Sequence, residues 1–325
     1  MFSALIVSET DEGCRPEVRD AADAELPDGD VTVDVEYSTV NYKDALAIVN
    51  GKPVLRTFPI APGIDAAGTV AESSSADWSV GDAVVMSGWG VGEERWGGLG
   101  QRTRVDGSWL TPVPEGWTTR DTMIVGTAGV TAALAVGAIE RTVAAPGPVL
   151  VTGASGGVGT FSIMLLAARG YDVLAGTTTP DASAYLEGLG ATELVDSREL
   201  GADIRPLAKP RWAGAIDNVG GPVLAGVISS TNADGTIVAC GNAGGMDLPT
   251  WVAPFILRAV CLQGLQAVRV PAAARREAWG MLADRVPRAR LDAIAEEVGL
   301  AGAIETATRI LANQVTGRVV VNVRA

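Results

Sequence analysis

The chain of 325 residues contains no histidine. That absence removes Ser–His and Cys–His nucleophile activation, and every metal site that needs imidazole. Cysteine is scarce as well. Cys14, Cys240 and Cys261 are odd in number and far apart, so neither a disulfide framework nor the C-x2-C spacing of a structural zinc is present. A metal would have to be held by carboxylates alone, and none is expected. Basic residues are outnumbered, 25 Lys and Arg against 38 Asp and Glu, for a net charge of −13. No broad cationic field gathers phosphates, which argues against nucleic acid as a partner. No run of the roughly 18–20 apolar residues that cross a bilayer is free of Gly, Pro and charge, so no membrane partner is expected. The opening MFSALIVSETDEG lacks a basic stretch and turns acidic at once, which predicts no signal peptide and a soluble, cytoplasmic protein.

What the chain has in quantity is apolar side chains, 47% of the total, with 40 glycines and 17 prolines. Its length suits two domains with sizeable cores and many turns. Residues 1–121 read as short strands. DVTVDVEYSTV (Asp30–Val40) places Val31, Val33 and Val35 on one face, and AAGTVAES and DAVVMSG follow as further strands of a β-rich, barrel-like domain. Near Arg120 the texture changes. RDTMIVGTAGVTAALAVGAIE reads as helical, and after it strands and helices alternate through residues 122–265. The strands there, among them PVLVT, YDVLAGTT, TELVD, WAGAIDNVG and DGTIVACG, are apolar on both faces, as in a parallel sheet covered on both sides by helices. From about Gln266, residues 266–325 read as helices with Arg/Glu faces, ending in the strand GRVVVNV.

Between one strand and one helix lies VTGASGGVGT, Val151–Thr160. Strand, glycine turn and helix are the order a dinucleotide pyrophosphate needs, because first-turn amides point outward unpaired and carry partial positive charge. Against the G-x-G-x-x-G fingerprint the turn reads Ala154-x-Gly156-x-x-Gly159. Gly156 lets backbone reach phosphate, and Gly159 lets helix pack on strand. A packing turn without a ligand is the alternative. An acid ending the second strand would bind the ribose 2′-hydroxyl of NAD, but Thr177, Thr178 and Thr179 stand there, with Asp181 beyond Pro180. Hydroxyls tolerate a 2′-phosphate and an acid repels it, so NADPH is favoured and NADH stays open. The threonines also suit a plain strand end, with Asp181 capping the next helix.

With these residues placed, the chain resembles the zinc-free, quinone-oxidoreductase-like branch of the medium-chain dehydrogenase/reductases, and within it the NADPH-dependent acrylyl-CoA reductase group. The motifs run nearly end to end: DVTVDVEYSTVNYKDALAI, PGIDAAGTV, GWGVGEERWGGL, IVGTAGVTA, VTGASGGVG, WAGAIDNVGG, LPTWVAPFILR and GRVVV. The resemblance implies an α/β protein with a GroES-like β-rich barrel domain, residues 1–121 completed by 266–325, and a Rossmann doubly wound parallel sheet over 122–265. It implies an active site in the cleft between them and a homodimer. GID (Gly63–Asp65) stands where zinc-bearing relatives have GHE, in keeping with the missing histidine.

The resemblance also implies site residues. Tyr42 contacts the cofactor beside Asn41 and Asp44, and these three are the catalytic candidates. Ser155, Gly156, Gly157, Val158 and Gly159 form the phosphate cradle, with Gly241 a further cofactor contact. Thr177, Thr178 and Thr179 meet the ribose phosphate. Relatives commonly carry Arg at the position of Thr179, and Arg198 is the candidate to replace it. They commonly carry His at the position of Arg95. The implied activity is reduction of an acrylyl-CoA C=C bond, with hydride going to the β-carbon and donors needed at the thioester oxygen: Asn41, Tyr42 or backbone amides. Tyr42 also suits proton delivery or simple cofactor packing; Asp44 and Asp65 suit loop-holding more than proton transfer. An acyl-CoA needs local cations, and Lys43, Lys52, Arg56, Arg95, Arg258 and Arg269 fall near the implied site. Quinones or free enones as substrates, and a dinucleotide-binding scaffold with little turnover, are the alternatives.

Overall fold

The computed structural model describes residues 1–11, 13–144 and 146–325. It divides into two compact units: Met1–Thr127 with Ala267–Gly280 and Pro287–Ala325, and Ala128–Gln266 with Met281–Val286.

The first unit begins with a hairpin that the sequence covered only as part of its run of short strands, β1 (Phe2–Thr10) against β2 (Gly13–Ala21). There follow β3 (Val31–Thr39), α1 (Tyr42–Val49), β4 (Asp65–Ser73), β5 (Ala83–Ser87), β6 (Arg102–Val105) and β7 (Leu110–Pro112). Val31, Val33 and Val35 are buried as the alternation predicts. α2 (Thr119–Glu140) is the helical segment read from the sequence, but it is broken at Gly126, whose φ of 49° and ψ of −155° leave the helical region. By length and composition α2 could cross a membrane, yet 83% of its most apolar window is buried inside the protein.

The second unit runs β8 (Pro148–Thr152), α3 (Gly157–Ala168), β9 (Asp172–Thr177), α4 (Ser183–Leu189), β10 (Glu193–Asp196), α5 (Ser197–Ala202), β11 (Trp212–Asp217), α6 (Gly221–Ser229), β12 (Thr231–Ala239), α7 (Ala253–Arg258) and β13 (Cys261–Gly264). Every strand pair in this sheet is parallel, in the order β10-β9-β8-β11-β12-β13. Counted from β8, that is the doubly wound order of dinucleotide-binding sheets, with its switch point between β8 and β11. α3 is buried from Gly159 to Leu166, as a helix apolar on all sides must be.

The chain closes with α8 (Ala272–Arg285), β14 (Ala295–Gly299), α9 (Gly302–Leu311) and β15 (Arg318–Asn322). β14 and β15 join the first unit's sheet, in the order β14-β15-β3-β4-β5-β7 with β6 also on β3. α9 packs on α1. Leu5, Val33, Ile48, Leu99 and Val321 belong to the core beneath them. The α/β class and its two sheet types are those expected from the sequence.

Candidate active site and dinucleotide turn

In the second unit the glycine turn leads from the C-terminal end of β8 into α3. Gly156 is the N-cap, with extended φ and ψ of −81° and 174°, and no side chain caps the helix. The first-turn amides of Gly157, Val158 and Gly159 have no acceptor within the helix. Ser155, Gly156, Gly157 and Val158 are half-buried. The two glycines of the fingerprint differ in what they exclude. A Cβ on Gly159 would lie 2.5 Å from both Gly153 O and Ala154 O, so the chain's own packing forbids it. A Cβ on Gly156 would meet only Gly153 O, at 3.4 Å. The chain itself tolerates a side chain at Gly156, so the open space there is left for something outside the chain. A dinucleotide pyrophosphate fits these donors and this space.

The neighbouring strand ends are tied together. Thr152 Oγ1 donates to Asp217 Oδ1 at 2.6 Å and accepts from Asn218 N at 3.0 Å, while Gly220 N donates to Asp217 Oδ2 at 2.7 Å. Burial pushes the Asp217 carboxyl up, against the pull of these hydrogen bonds. Gly241 lies over this corner, where a Cβ would come within 2.3 Å of Asn218 O. The Cys240 thiol, pushed up to about 12 by burial, is not a reactive group at neutral pH.

At the end of β9, Thr177 Oγ1 accepts from Thr179 N at 3.0 Å, and Thr178 is exposed. Asp196 on β10 stands in register with Thr177. Its carboxylate holds Arg198 through Nε at 3.0 and 3.1 Å and Nη2 at 2.9 Å. The Arg198 guanidinium is therefore at the expected edge, but it is engaged by an acid of its own helix cap.

In the first unit, NYKD sits where β3 passes into α1. Asn41 is the N-cap, and Asp44 Oδ2 accepts from Asn41 N at 2.8 Å, the acid arm of a capping box. The same oxygen accepts from Asn41 Nδ2 at 2.9 Å, while Asp44 Oδ1 accepts from Ile64 N at 2.8 Å. The other Asn41 amide proton goes to Asp65 Oδ2, at 2.8 Å. Two carboxylates flank this amide, so the nitrogen must face both. Asp44 is fully buried. Desolvation pushes its carboxyl up to about 6, the Asn41 backbone bond opposes this, and the nearby Asp65 charge adds to the rise.

Asp65 gathers the rest. It accepts from Thr127 N at 3.0 Å on each oxygen and from Thr127 Oγ1 at 2.7 Å. The break in α2 makes this possible, since a Cβ on Gly126 would stand 2.8 Å from Asp65 Oδ2 and 3.2 Å from Arg318 Nη2. Arg318, buried, donates from Nε to Ile124 O and from Nη2 to Thr39 Oγ1, each at 2.8 Å. The sequence reading missed Thr127 and Arg318. Their signals were available in the glycine inside an otherwise helical IVGTAGVTA and in the single cation of GRVVV.

Of the three catalytic candidates, the structure therefore gives Asn41 and Asp44 positioning contacts. Both Asn41 amide protons are spent, so it is not a free donor to a substrate oxygen, and Asp44 reaches no open space. Tyr42 differs. It is the first residue of α1, 38% exposed, and its hydroxyl has no hydrogen-bond partner among the described residues.

Beside this cluster, the loop after β5 holds Trp89 at φ 61°, a left-handed conformation rare for a bulky residue. Arg275 lies over its ring at 5.3 Å, and Trp89 stacks on Trp109 at 6.2 Å. Arg275 is 2% exposed, and its Nη2 donates at 3.3 Å to Val268 O, which also accepts from Trp89 N at 2.9 Å. Among the described residues no group of three His, Cys, Asp or Glu side chains is placed to hold a metal ion.

Comparison with known proteins places this geometry. The profile of the alcohol dehydrogenase GroES-like domain matches residues 27–115, and that of the zinc-binding dehydrogenases matches 157–284. The chain is 46% identical over 330 residues to the acrylyl-CoA reductase AcuI of Ruegeria pomeroyi, covering 100% of both chains. It is 45% identical over 324 residues to the probable acrylyl-CoA reductase AcuI of Escherichia coli K12, covering 99% of this chain and 100% of that one. The crystal structure of E. coli K-12 YhdH with bound NADPH superposes with a TM-score of 0.96 at 45% identity, covering 98% of this chain and 99% of that one. Bacillus subtilis YhfP, solved with NAD bound, superposes with a TM-score of 0.94 at 38% identity, covering 99% of both chains.

Proposed function

The chain belongs to the zinc-free, quinone-oxidoreductase-like branch of the medium-chain dehydrogenase/reductases, and from that membership we infer that it reduces the C=C bond of an acrylyl thioester with NADPH. The reaction is acrylyl-CoA, NADPH and a proton giving propionyl-CoA and NADP+. One observation carries this reading: the likeness to two acrylyl-CoA reductases spans the whole chain at 45–46% identity. The phosphate cradle and the Asn41–Asp65 cluster thus belong to one matched protein rather than to isolated motifs.

When bound, NADPH supplies the hydride for the β-carbon. Ser155 to Gly159 would hold its pyrophosphate, with Gly241 on the facing loop. Charge gathering on the thioester oxygen calls for a donor. Tyr42, 38% exposed and with no hydrogen-bond partner for its hydroxyl among the described residues, suits that role and proton delivery to the α-carbon, directly or through water. Asn41, Asp44, Asp65 and Thr127 fix the start of α1 beneath it, and so fix Tyr42. The threonine run without an acid supports NADPH over NADH, while Asp196 beside Thr177 works against a strong preference. Mixing the protein with NADPH or NADH and acrylyl-CoA, crotonyl-CoA or a simple quinone tests the reading. Nicotinamide oxidation with acrylyl-CoA is expected, and turnover with quinone alone would overturn it.

A homodimer is supported by the second unit. β13 is an edge strand, and Met246, Val252, Ile256 and Leu257 nearby in sequence are about two-thirds or more exposed. A second copy is the partner we infer for that surface, and light scattering that gives a monomer mass would refute it. Three unpaired cysteines suit a reducing, cytoplasmic setting.

A further inference from the structure

The glycine turn is tied to the helix that follows the threonine run, through a side chain outside the fingerprint. Tyr185 is the third residue of α4 and is half-buried. Its hydroxyl lies 2.8 Å from Oγ1 of Thr160, a fully buried residue of α3. Thr160 has one hydroxyl proton, and it goes to Gly156 O at 2.9 Å. The Tyr185 hydroxyl is therefore the donor to Thr160 Oγ1. The protons run one way, from Tyr185 through Thr160 to the carbonyl of Gly156, which also accepts from Thr160 N at 2.9 Å.

That carbonyl bears directly on the phosphate turn. A peptide unit is planar, so the direction of Gly156 C=O fixes the direction of the Gly157 N–H across the same bond. The Gly157 amide is the first of the α3 donors without an intrahelical acceptor, and Gly156 is the residue that leaves space for a phosphate. Two donors on one carbonyl thus hold the amide that a phosphate would meet.

The other end of the tie leads to the ribose side. Thr179 N donates to Thr177 Oγ1 at 3.0 Å, and Ala182 N to Thr179 O at 3.2 Å, so the threonine run turns directly into α4. α4 packs on α3. Just past the end of α4, a Cβ on Gly190 would stand 2.6 Å from Ala167 Cβ, a close approach open only to a residue without a side chain. Near the start of both helices the contact is the Tyr185–Thr160 bond.

We propose that Tyr185 is a positioning residue for the dinucleotide: acting through Thr160, it sets the Gly156–Gly157 peptide for the pyrophosphate and ties that turn to the ribose-side threonines. This rests on the cofactor reading above and adds a residue that the fingerprint does not contain. The pyrophosphate is common to NADPH and NADH, so Tyr185 acts on both alike. Thr177 and Asp196 differ in this respect, since that reading sets them at the ribose 2′-position, where the two nucleotides differ.

Tyr185→Phe keeps the ring and removes only the hydroxyl, while Thr160→Val keeps the shape of threonine without its donor. Titration by nicotinamide fluorescence should show Tyr185→Phe raising Kd about fivefold for NADPH and for NADH, within the range for one lost neutral hydrogen bond, with their ratio unchanged. The double variant should bind no more weakly than Thr160→Val alone, because both substitutions break one chain. Thr160→Ser keeps the hydroxyl and should bind as wild type. Thermal melting without cofactor measures the fold separately. A lowered Tm with both Kd values unchanged in Tyr185→Phe would make the tie purely structural and overturn the proposal. A loss for NADPH alone would set Tyr185 against the 2′-phosphate and overturn it too, as would additive losses in the double variant or weakened binding in Thr160→Ser. Failure of wild type to bind either nucleotide would overturn the cofactor reading as well.

Discussion

Two alanine substitutions three residues apart should have opposite effects. Gly156→Ala adds a methyl whose nearest neighbour is Gly153 O at 3.4 Å, on backbone that alanine adopts freely. Losing glycine at an N-cap costs less than about 1 kcal/mol, and the stiffer unfolded chain returns about 0.4–1 kcal/mol. Tm should therefore move by no more than about 2–4 °C. The methyl, however, fills the space before the Gly157 and Val158 amides. Losing one hydrogen bond to a charged phosphate, about 1.5–3 kcal/mol, weakens NADPH roughly ten- to a hundredfold. Gly159→Ala instead drives a methyl to 2.5 Å from two backbone oxygens. Backbone cannot swing aside as a side chain can, so the cost sits near the upper end of overpacking, about 3 kcal/mol, or about 6–12 °C in Tm. Melting curves and NADPH titration by nicotinamide fluorescence measure both. An unchanged Kd in Gly156→Ala would refute the phosphate-cradle reasoning, and an unchanged Tm in Gly159→Ala would refute the close-approach reasoning.

Tyr42→Phe should lower kcat/KM for the thioester by about a hundredfold or more, the low end for a lost proton donor, while NADPH affinity stays within about twofold. A matching loss of affinity would make Tyr42 a packing residue. The Asp44 carboxyl binds its proton more tightly folded, at about 6 against 3.8. Its stabilising share is whole below about pH 4 and lost as pH rises through 6, about 3 kcal/mol at 1.36 kcal/mol per tenfold change in proton affinity. The stability difference between wild type and Asp44→Asn should shift by that amount, favouring wild type at the acid end, and parallel curves would sink the assignment. Asp65→Asn sets an amide among the Asn41 and Thr127 donors and should cost about 2–3 kcal/mol by chemical denaturation; a loss below about 0.5 kcal/mol would mean the cluster does not hold α1. Asp196→Asn removes the acid beside Thr177 and releases Arg198, so the KM for NADPH should fall severalfold relative to NADH. No change in that ratio would place the 2′-phosphate elsewhere.

The legible parts of this protein are those whose cause is local. Val31, Val33 and Val35 announce a half-buried strand because side chains alternate along any strand. Strand, glycine and helix in VTGASGGVG announce a phosphate turn because first-turn amides are unpaired in any helix. A missing imidazole is a fact of composition. The hairpin of β1 and β2 lies within the short strands read for residues 1–121, but its pairing was not singled out although Asp11 and Gly13 stand at its turn. The roles of Asn41, Asp44 and Arg198 were not legible, because each depends on which partner occupies a donor. Asn41 looked like a free amide until Asp65 took its second proton, and Arg198 looked like a phosphate ligand until Asp196 engaged it. Arg318 meets Thr39 across 279 residues, and no spacing rule reaches that far. Sequence alone determined where backbone is laid bare for a ligand and which chemistries lack a side chain to perform them. Only the tertiary structure decided which of the remaining polar groups are still free to act, because a hydrogen bond already made inside the fold is not available to a substrate.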